Sequence, residues 1–187
     1  MPLKITPLAI PDVILVEPVR HQDARGFFSE TYNRRSLKEV GITTEFVQDN
    51  HSLSRDRGVV RGLHFQTVPA VQEKLVRVAR GSALDVAVDI RHGSPTFGKW
   101  VSAVLSADNW HQLFVPAGFA HGFCTLEPDT ELIYKTSDYY APEYDRGIAW
   151  DDPDLAIDWP IGRDEAVFSA KDAAQPRLAN LPMYFTI

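Results

Sequence analysis

An all-β architecture is expected for this chain, in the form of an antiparallel jelly roll or β-sandwich with a few short helices. Short apolar runs alternate with a period of two, and the 13 prolines and 11 glycines are scattered as punctuation between them. Segments with helical spacing are few. A length of 187 residues fits one domain, 1–187, large enough to fold on a single core.

In chain order, Val13–Val16 is apolar and β-rich, and Thr44–Gln48 reads as a short strand. Leu75–Ala79 and Leu84–Ile90, joined by Arg80-Gly81-Ser82, read as a hairpin. In its second arm Leu84, Val86, Val88 and Ile90 alternate with Ala83, Asp85, Ala87 and Asp89. Trp100–Leu105, Leu113–Val115, His121–Leu126 and Leu132–Thr136 continue the strand pattern, separated by turn signals such as Pro116-Ala117-Gly118. Arg34–Val40 is a helix candidate that stops before Gly41, and Ala170–Ala174 is a second, shorter one.

Charge and cysteine content exclude several functions. Nineteen basic and 25 acidic residues leave a net charge of −6, without the basic excess of a nucleic-acid binder. A small anionic ligand needs only two or three placed cations and stays open. The single cysteine, Cys124, excludes an internal disulfide and multi-cysteine metal sites. Met1–Pro11 lacks signal-peptide features, and no run approaches the ~20 apolar residues of a bilayer span, so a cytoplasmic protein without membrane contact is expected.

Several polar residues sit where a plain core would be apolar. Lys74 shares a strand face with Val76 and Val78, which puts it at a strand mouth or inside a polar cavity. His64 shares a face with Gly62 and Gln66, away from Leu63 and Phe65, as a structural or an active-site histidine. Tyr134 lies between Leu132 and Thr136 on one face and also reads as a core aromatic. Asp85 and Asp89 lie opposite the valine stripe, where solvent exposure is expected. His121 reads as a turn histidine, Asp172 as a helix-start carboxylate, and Arg25-Gly26 as a turn before a strand. There is no His-x-His, and His64 has Gly62 and Gln66 two residues away, so no metal is expected.

Motifs then accumulate in order. They are Asp23–Phe28 (DARGFF), Phe46–Ser52 (FVQDNHS), Val60–Gln66 (VRGLHFQ), Lys74–Arg77, Asp85–Arg91, Ser94–Gly98, Pro116–Phe123 (PAGFAHGF), Tyr134-Lys135-Thr136 with Tyr139-Tyr140, and Ser169–Asp172 (SAKD). Together they resemble the dTDP-4-dehydrorhamnose 3,5-epimerase family, cupin-type enzymes of dTDP-L-rhamnose synthesis, from about residue 3 to residue 177. The resemblance implies a cupin-like jelly-roll core at about 44–140 and a C-terminal segment, 141–187, packed over the site. It also implies N-terminal strands at about 3–32 exchanged in a homodimer, with Val13–Val16 and Phe27–Tyr32 as the candidates.

By the same resemblance His64 is the base, Asp172 its carboxylate partner, Tyr134 the proton donor and Lys74 the cation beside the substrate ketone. Arg25, Glu30, Gln48, Asn50, Arg61, His121, Asp145 and Lys171 match ligand contacts, and Tyr140 matches the aromatic stacked on thymine. Arg25 and Glu30 are implied to serve the partner's site. Two positions depart from the family pattern: Asp145 stands where glutamate is common, and Glu73 puts a carboxylate beside Lys74 in sequence.

The chemistry suits these residue types. The implied substrate is a dTDP-4-keto-6-deoxyhexose, whose ketone acidifies the C3 and C5 hydrogens by delocalising charge as an enolate. Inversion then needs a proton carrier on each face, for which a His–Asp pair and a phenol serve without any cofactor. Arg25 and Arg61 are suited to a diphosphate. Arg61 and His64 are three residues apart, so a regular strand would point them to opposite faces unless a bulge intervenes or one lies at the strand end. Other readings are an epimerase acting at one carbon, a metal-dependent cupin, and a non-catalytic sugar-nucleotide-binding module.

Overall fold

The computed structural model describes residues 3–187. Its strands are β1 (Lys4–Pro7), β2 (Ile14–Glu17), β3 (Arg20–Asp23), β4 (Gly26–Ser29), β5 (Gln48–Ser54), β6 (Val60–Gln66), β7 (Lys74–Arg80), β8 (Ser82–Asp89), β9 (Arg91–His92), β10 (Trp100–Ser106), β11 (Gln112–Val115), β12 (Phe119–Thr125), β13 (Thr130–Thr136), β14 (Asp145–Gly147) and β15 (Phe185–Thr186). Two short α-helices accompany them, α1 (Arg34–Glu39) and α2 (Ala170–Ala173). A six-stranded sheet runs β1-β2-β11-β7-β13-β5 and a five-stranded sheet β10-β8-β12-β6-β14, each antiparallel. Among the described residues no helix is long and apolar enough to cross a membrane.

The sheets face each other as a sandwich. Val76, Val78, Leu113 and Leu132 from one sheet meet Ala83, Ala87, Leu105 and Phe123 from the other in an apolar core. The outer face of the five-stranded sheet is apolar too, because Leu63, Phe65, Val86 and Val88 lie under C-terminal residues such as Leu155, Trp159, Leu178 and Phe185. Helix α1 packs Leu37 against Val16, Leu75 and Phe114 on the outside of the six-stranded sheet. It starts where the Asn33 side chain accepts bonds from the Arg35 and Ser36 amides, and it stops at Val40 before Gly41.

The expected hairpin of Leu75–Ala79 with Leu84–Ile90 does not form. β7 pairs with β11 and β13, whereas β8 pairs with β10 and β12 in the opposite sheet. Arg80-Gly81-Ser82 is a corner between sheets. Gly81 takes a φ of +73° there, and a Cβ would run into Thr130. β8 is covered on both faces, by the core on one and by the C-terminal segment on the other. Its Asp85 and Asp89 therefore point inward and are fully buried, not solvent-exposed as expected. Asp89 accepts from Arg91, Ser94 and Thr96.

Thr44–Gln48 also differs, since the ladder begins only at Gln48. Before it, Val47 donates one backbone bond to Thr136, and Phe46 packs edge-on to Tyr32. His121 lies within β12 rather than in a turn. Of the two candidate exchange segments, β2 pairs with β11 of its own chain. The β3–β4 hairpin pairs with no further strand among the described residues.

Candidate active site

At one end of the sandwich the apolar filling gives way to a cavity of about 630 Å³, a volume suited to a small ligand. His64 and Arg61 reach it from β6, His121 and Phe123 from β12, Lys74 from β7, and Leu132 and Tyr134 from β13. Ser52 and Ser54 line it from β5, and the segment Val167–Asp172 covers it. The buried residues Lys74, His121, Phe123 and Leu132 form its floor, and the exposed Arg55, Arg61 and Lys171 lie toward solvent.

A bulge explains how Arg61 and His64 share this space. Arg61 pairs with Phe123 and His64 with His121, so three steps along β6 match two along β12. The extra residue turns both side chains inward. Gly62 sits within the bulge at a φ of +144°, and a Cβ there would come within 2.5 Å of the Gly122 Cα. Only glycine fits so close a backbone approach.

Two His–Asp pairs flank the floor. His64 Nε2 lies 2.6 Å from Asp172 Oδ1, with Asp172 buried. Burial pushes the Asp172 carboxyl up, but hydrogen bonds from His64 and Ser169 outweigh it and hold it below the usual carboxylate value. His121 Nε2 lies 2.8 Å from Asp85 Oδ1, and Asp85 Oδ2 is buried with no protein partner among the described residues.

Lys74 Nζ donates to the His64 carbonyl at 3.3 Å. Burial lowers its ammonium from 10.5 to about 8, resisted by the Asp85 and Asp145 charges and helped by Lys171. Lys74 is therefore in the cavity floor, not at a solvated strand mouth. Tyr134 stands on the other sheet from His64. Burial raises its phenol above the ordinary value; the Arg61 charge opposes this and Asp145 adds to it. A phenol raised in this way stays protonated at neutral pH.

The remaining expected residues form a polar rim. Gln48 donates to Asn50 Oδ1 at 2.9 Å and accepts from the Tyr140 amide at 3.0 Å. The exposed Tyr140 donates its hydroxyl to Asp145 Oδ2 at 3.1 Å, and Lys171 pairs with the same carboxylate. The shorter Asp145 thus still reaches both neighbours. Glu73 turns away from Lys74 and accepts from the Thr44 hydroxyl.

Arg25 and Glu30 are not brought to the cavity by their own chain. Arg25 is exposed at the β3–β4 turn and pairs with Asp23, while Glu30 accepts from Asn33 in a separate cleft. Both belong to the segment that leaves the main sheets.

Residues 7–180 match the family model of dTDP-4-dehydrorhamnose 3,5-epimerase. A dTDP-4-dehydrorhamnose 3,5-epimerase from Pseudomonas aeruginosa is 56% identical over 171 residues, covering 91% of this chain and 93% of the relative. The chain belongs to the dTDP-4-dehydrorhamnose 3,5-epimerase family. Within it, the crystal structure of RmlC from Legionella pneumophila in complex with dTDP-4-keto-L-rhamnose superposes with a TM-score of 0.94 at 45% identity, over 99% of this chain and 98% of that one. ChmJ, a 3'-monoepimerase from Streptomyces bikiniensis, shares the fold at a TM-score of 0.85 and 36% identity, over 92% of this chain and 87% of its own. The fold is therefore common to double and single epimerases.

Sequence reasoning missed Asp85, Arg55 and Ser169. Asp85 carried a signal, because it shares parity with the small residues Ala83 and Ala87, which is the inner face. Arg55 sits in a loop, where periodicity says nothing. Ser169 entered only as the first residue of the Ser169–Asp172 motif, with no role attached.

Proposed function

We propose that this chain is an isomerase that epimerises dTDP-4-dehydro-6-deoxy-D-glucose at C3 and C5 to dTDP-4-dehydro-L-rhamnose, a step toward dTDP-L-rhamnose. One observation carries the reading: the hydrogen-bonded His64–Asp172 pair and the Tyr134 phenol line one cavity from facing sheets, with Lys74 in its floor. His64, through the ring nitrogen that Asp172 does not engage, takes the proton from the carbon beside the ketone. The electron pair delocalises onto the ketone oxygen, which the Lys74 ammonium and His121 stabilise. Tyr134 returns a proton to the opposite face of the same carbon. Exchange with solvent resets both carriers before the second carbon reacts.

Arg61, Arg55 and Lys171 suit the diphosphate, and Tyr140, Gln48 and Asn50 suit the base at the rim. A homodimer is part of the reading, with Arg25 and Glu30 delivered to the partner's cavity. It is supported by a β3–β4 hairpin with no further strand partner among the described residues and by Phe27 and Phe28, which are 52% and 72% exposed. A cytoplasmic location is likewise proposed, since a diphosphate-bearing substrate does not cross a bilayer unaided.

Proton NMR of the 4-keto-6-deoxyglucose nucleotide in deuterium oxide tests the activity. Deuterium should enter at both C3 and C5, and His64→Ala should slow both exchanges by at least about 100-fold, the lower range of general-base contributions. Exchange at one carbon selects the single epimerase. No exchange with the wild-type protein, or an undiminished rate in His64→Ala, sinks the reading.

A further inference from the structure

We propose that Ser169 is a positioning residue that fixes the Asp172 carboxylate in the orientation His64 uses. The inference rests on the reading of His64 as the base. The Ser169 hydroxyl donates to Asp172 Oδ2 at 2.6 Å and accepts from the Asp172 amide at 3.1 Å. Asp172 Oδ1 meets His64 Nε2 at 2.6 Å. Each carboxylate oxygen thus has its own partner, and rotation of the carboxylate would break both bonds at once. A helix cap needs only the accepting half of this hydroxyl. The donating half is spent on the carboxylate.

The backbone around Ser169 is itself set in register with the strand that carries His64. The Val167 amide donates to the Gly58 carbonyl at 2.9 Å, and the Val60 amide donates to the Val167 carbonyl at 2.8 Å. Val59 and Val167 form a parallel bridge. Four residues after Val60 along β6 comes His64, and two residues after Val167 comes Ser169. The segment therefore ties the hydroxyl to the base through a short, hydrogen-bonded path. Phe168, packed on Trp150 at a centroid distance of 5.5 Å, anchors the segment on its way.

The charged and titratable groups around Asp172 are His64 from β6, Lys74 from β7, which bonds the His64 carbonyl, and the adjacent Lys171, which is held by Asp145 of β14. Removing the Ser169 donor leaves a more basic carboxylate, so the His64–Asp172 pair binds its proton at higher pH.

The test compares Ser169→Ala and Ser169→Thr with the wild-type protein. For Ser169→Ala, kcat should fall about tenfold with KM within about twofold, the factor carried by a hydrogen bond to a charged group. The acid limb of kcat/KM should move to higher pH, and Ser169→Thr should restore both. An NMR titration of the Asp172 carboxyl carbon should show the same upward shift without substrate, which separates this proposal from the proposed activity. A lowered Tm with unchanged kcat, acid limb and Asp172 titration would mark Ser169 as a helix cap only and overturn the proposal. So would a loss of kcat that threonine does not restore.

Discussion

Lys74 is a buried ammonium that its neighbours only partly support. Burial pulls it down to about 8, and the Asp85 and Asp145 carboxylates do not restore its ordinary value. Its charge is therefore present at neutral pH and is lost as pH rises through about 8. If the ammonium faces the developing enolate, kcat/KM should fall on the alkaline side with an apparent pKa near 8. Lys74→Arg should lower the plateau and remove that alkaline limb, because guanidinium keeps its proton throughout. A pH–rate profile checks both, and a limb that persists unchanged in the arginine variant assigns it to another group. Lys74 was legible in the sequence because its parity matched Val76 and Val78. Asp85 had the same kind of signal and was misread, since a strand covered on both sides has no solvent face against which to judge parity.

At the scale of elements, alternation predicted where strands lie but not which sheet each joins. Arg80-Gly81-Ser82 has the turn chemistry of a hairpin, and only long-range pairing shows it to be a corner between sheets. The strands at Trp100, Leu113 and Leu132 and both helices were readable to within a residue or two at each boundary, because local propensity and capping agree with the fold there. The bulge in β6 was visible only as a conflict, two family-matched residues three apart on a nominal strand. That conflict has an energetic consequence at Gly62. A methyl group there meets the Gly122 backbone at 2.5 Å, and the φ of +144° is strained for any side chain. Gly62→Ala should destabilise by roughly 2–4 kcal/mol and remove activity, because relaxing the bulge turns Arg61 or His64 out of the cavity. Gly162→Ala, with nothing within 4 Å of its Cβ, should leave stability within about 0.5 kcal/mol. Urea unfolding of the two variants decides it, and equal stabilities would mean that the backbone at position 62 accommodates a side chain.

Across the whole molecule the sandwich is filled unequally, with an apolar core at one end and, at the other, a cavity into which polar and charged side chains project. A cavity that takes a diphosphate sugar needs cations near its entrance, and this chain supplies Arg55, Arg61 and Lys171 there. Its other phosphate-suited arginine, Arg25, is exposed on a hairpin held to its own chain mainly at Trp110, which bonds Ser29 and packs edge-on against Phe27. Exposed phenylalanines beside an outlying arginine have a direct use if a second copy receives both. Subunit mixing separates this arrangement from a self-contained monomer. Arg25→Ala and His64→Ala should each be nearly inactive alone. If Arg25 acts in the partner's cavity, a mixed dimer joins one doubly defective site to one intact site, because the intact His64 of the first variant meets the intact Arg25 of the second. Refolding the two variants together should then recover up to about a quarter of wild-type activity, given random pairing into dimers of which half are mixed and each has one working site. If Arg25 serves its own cavity, every site in the mixture carries one lesion and the activity stays at the level of the separate variants.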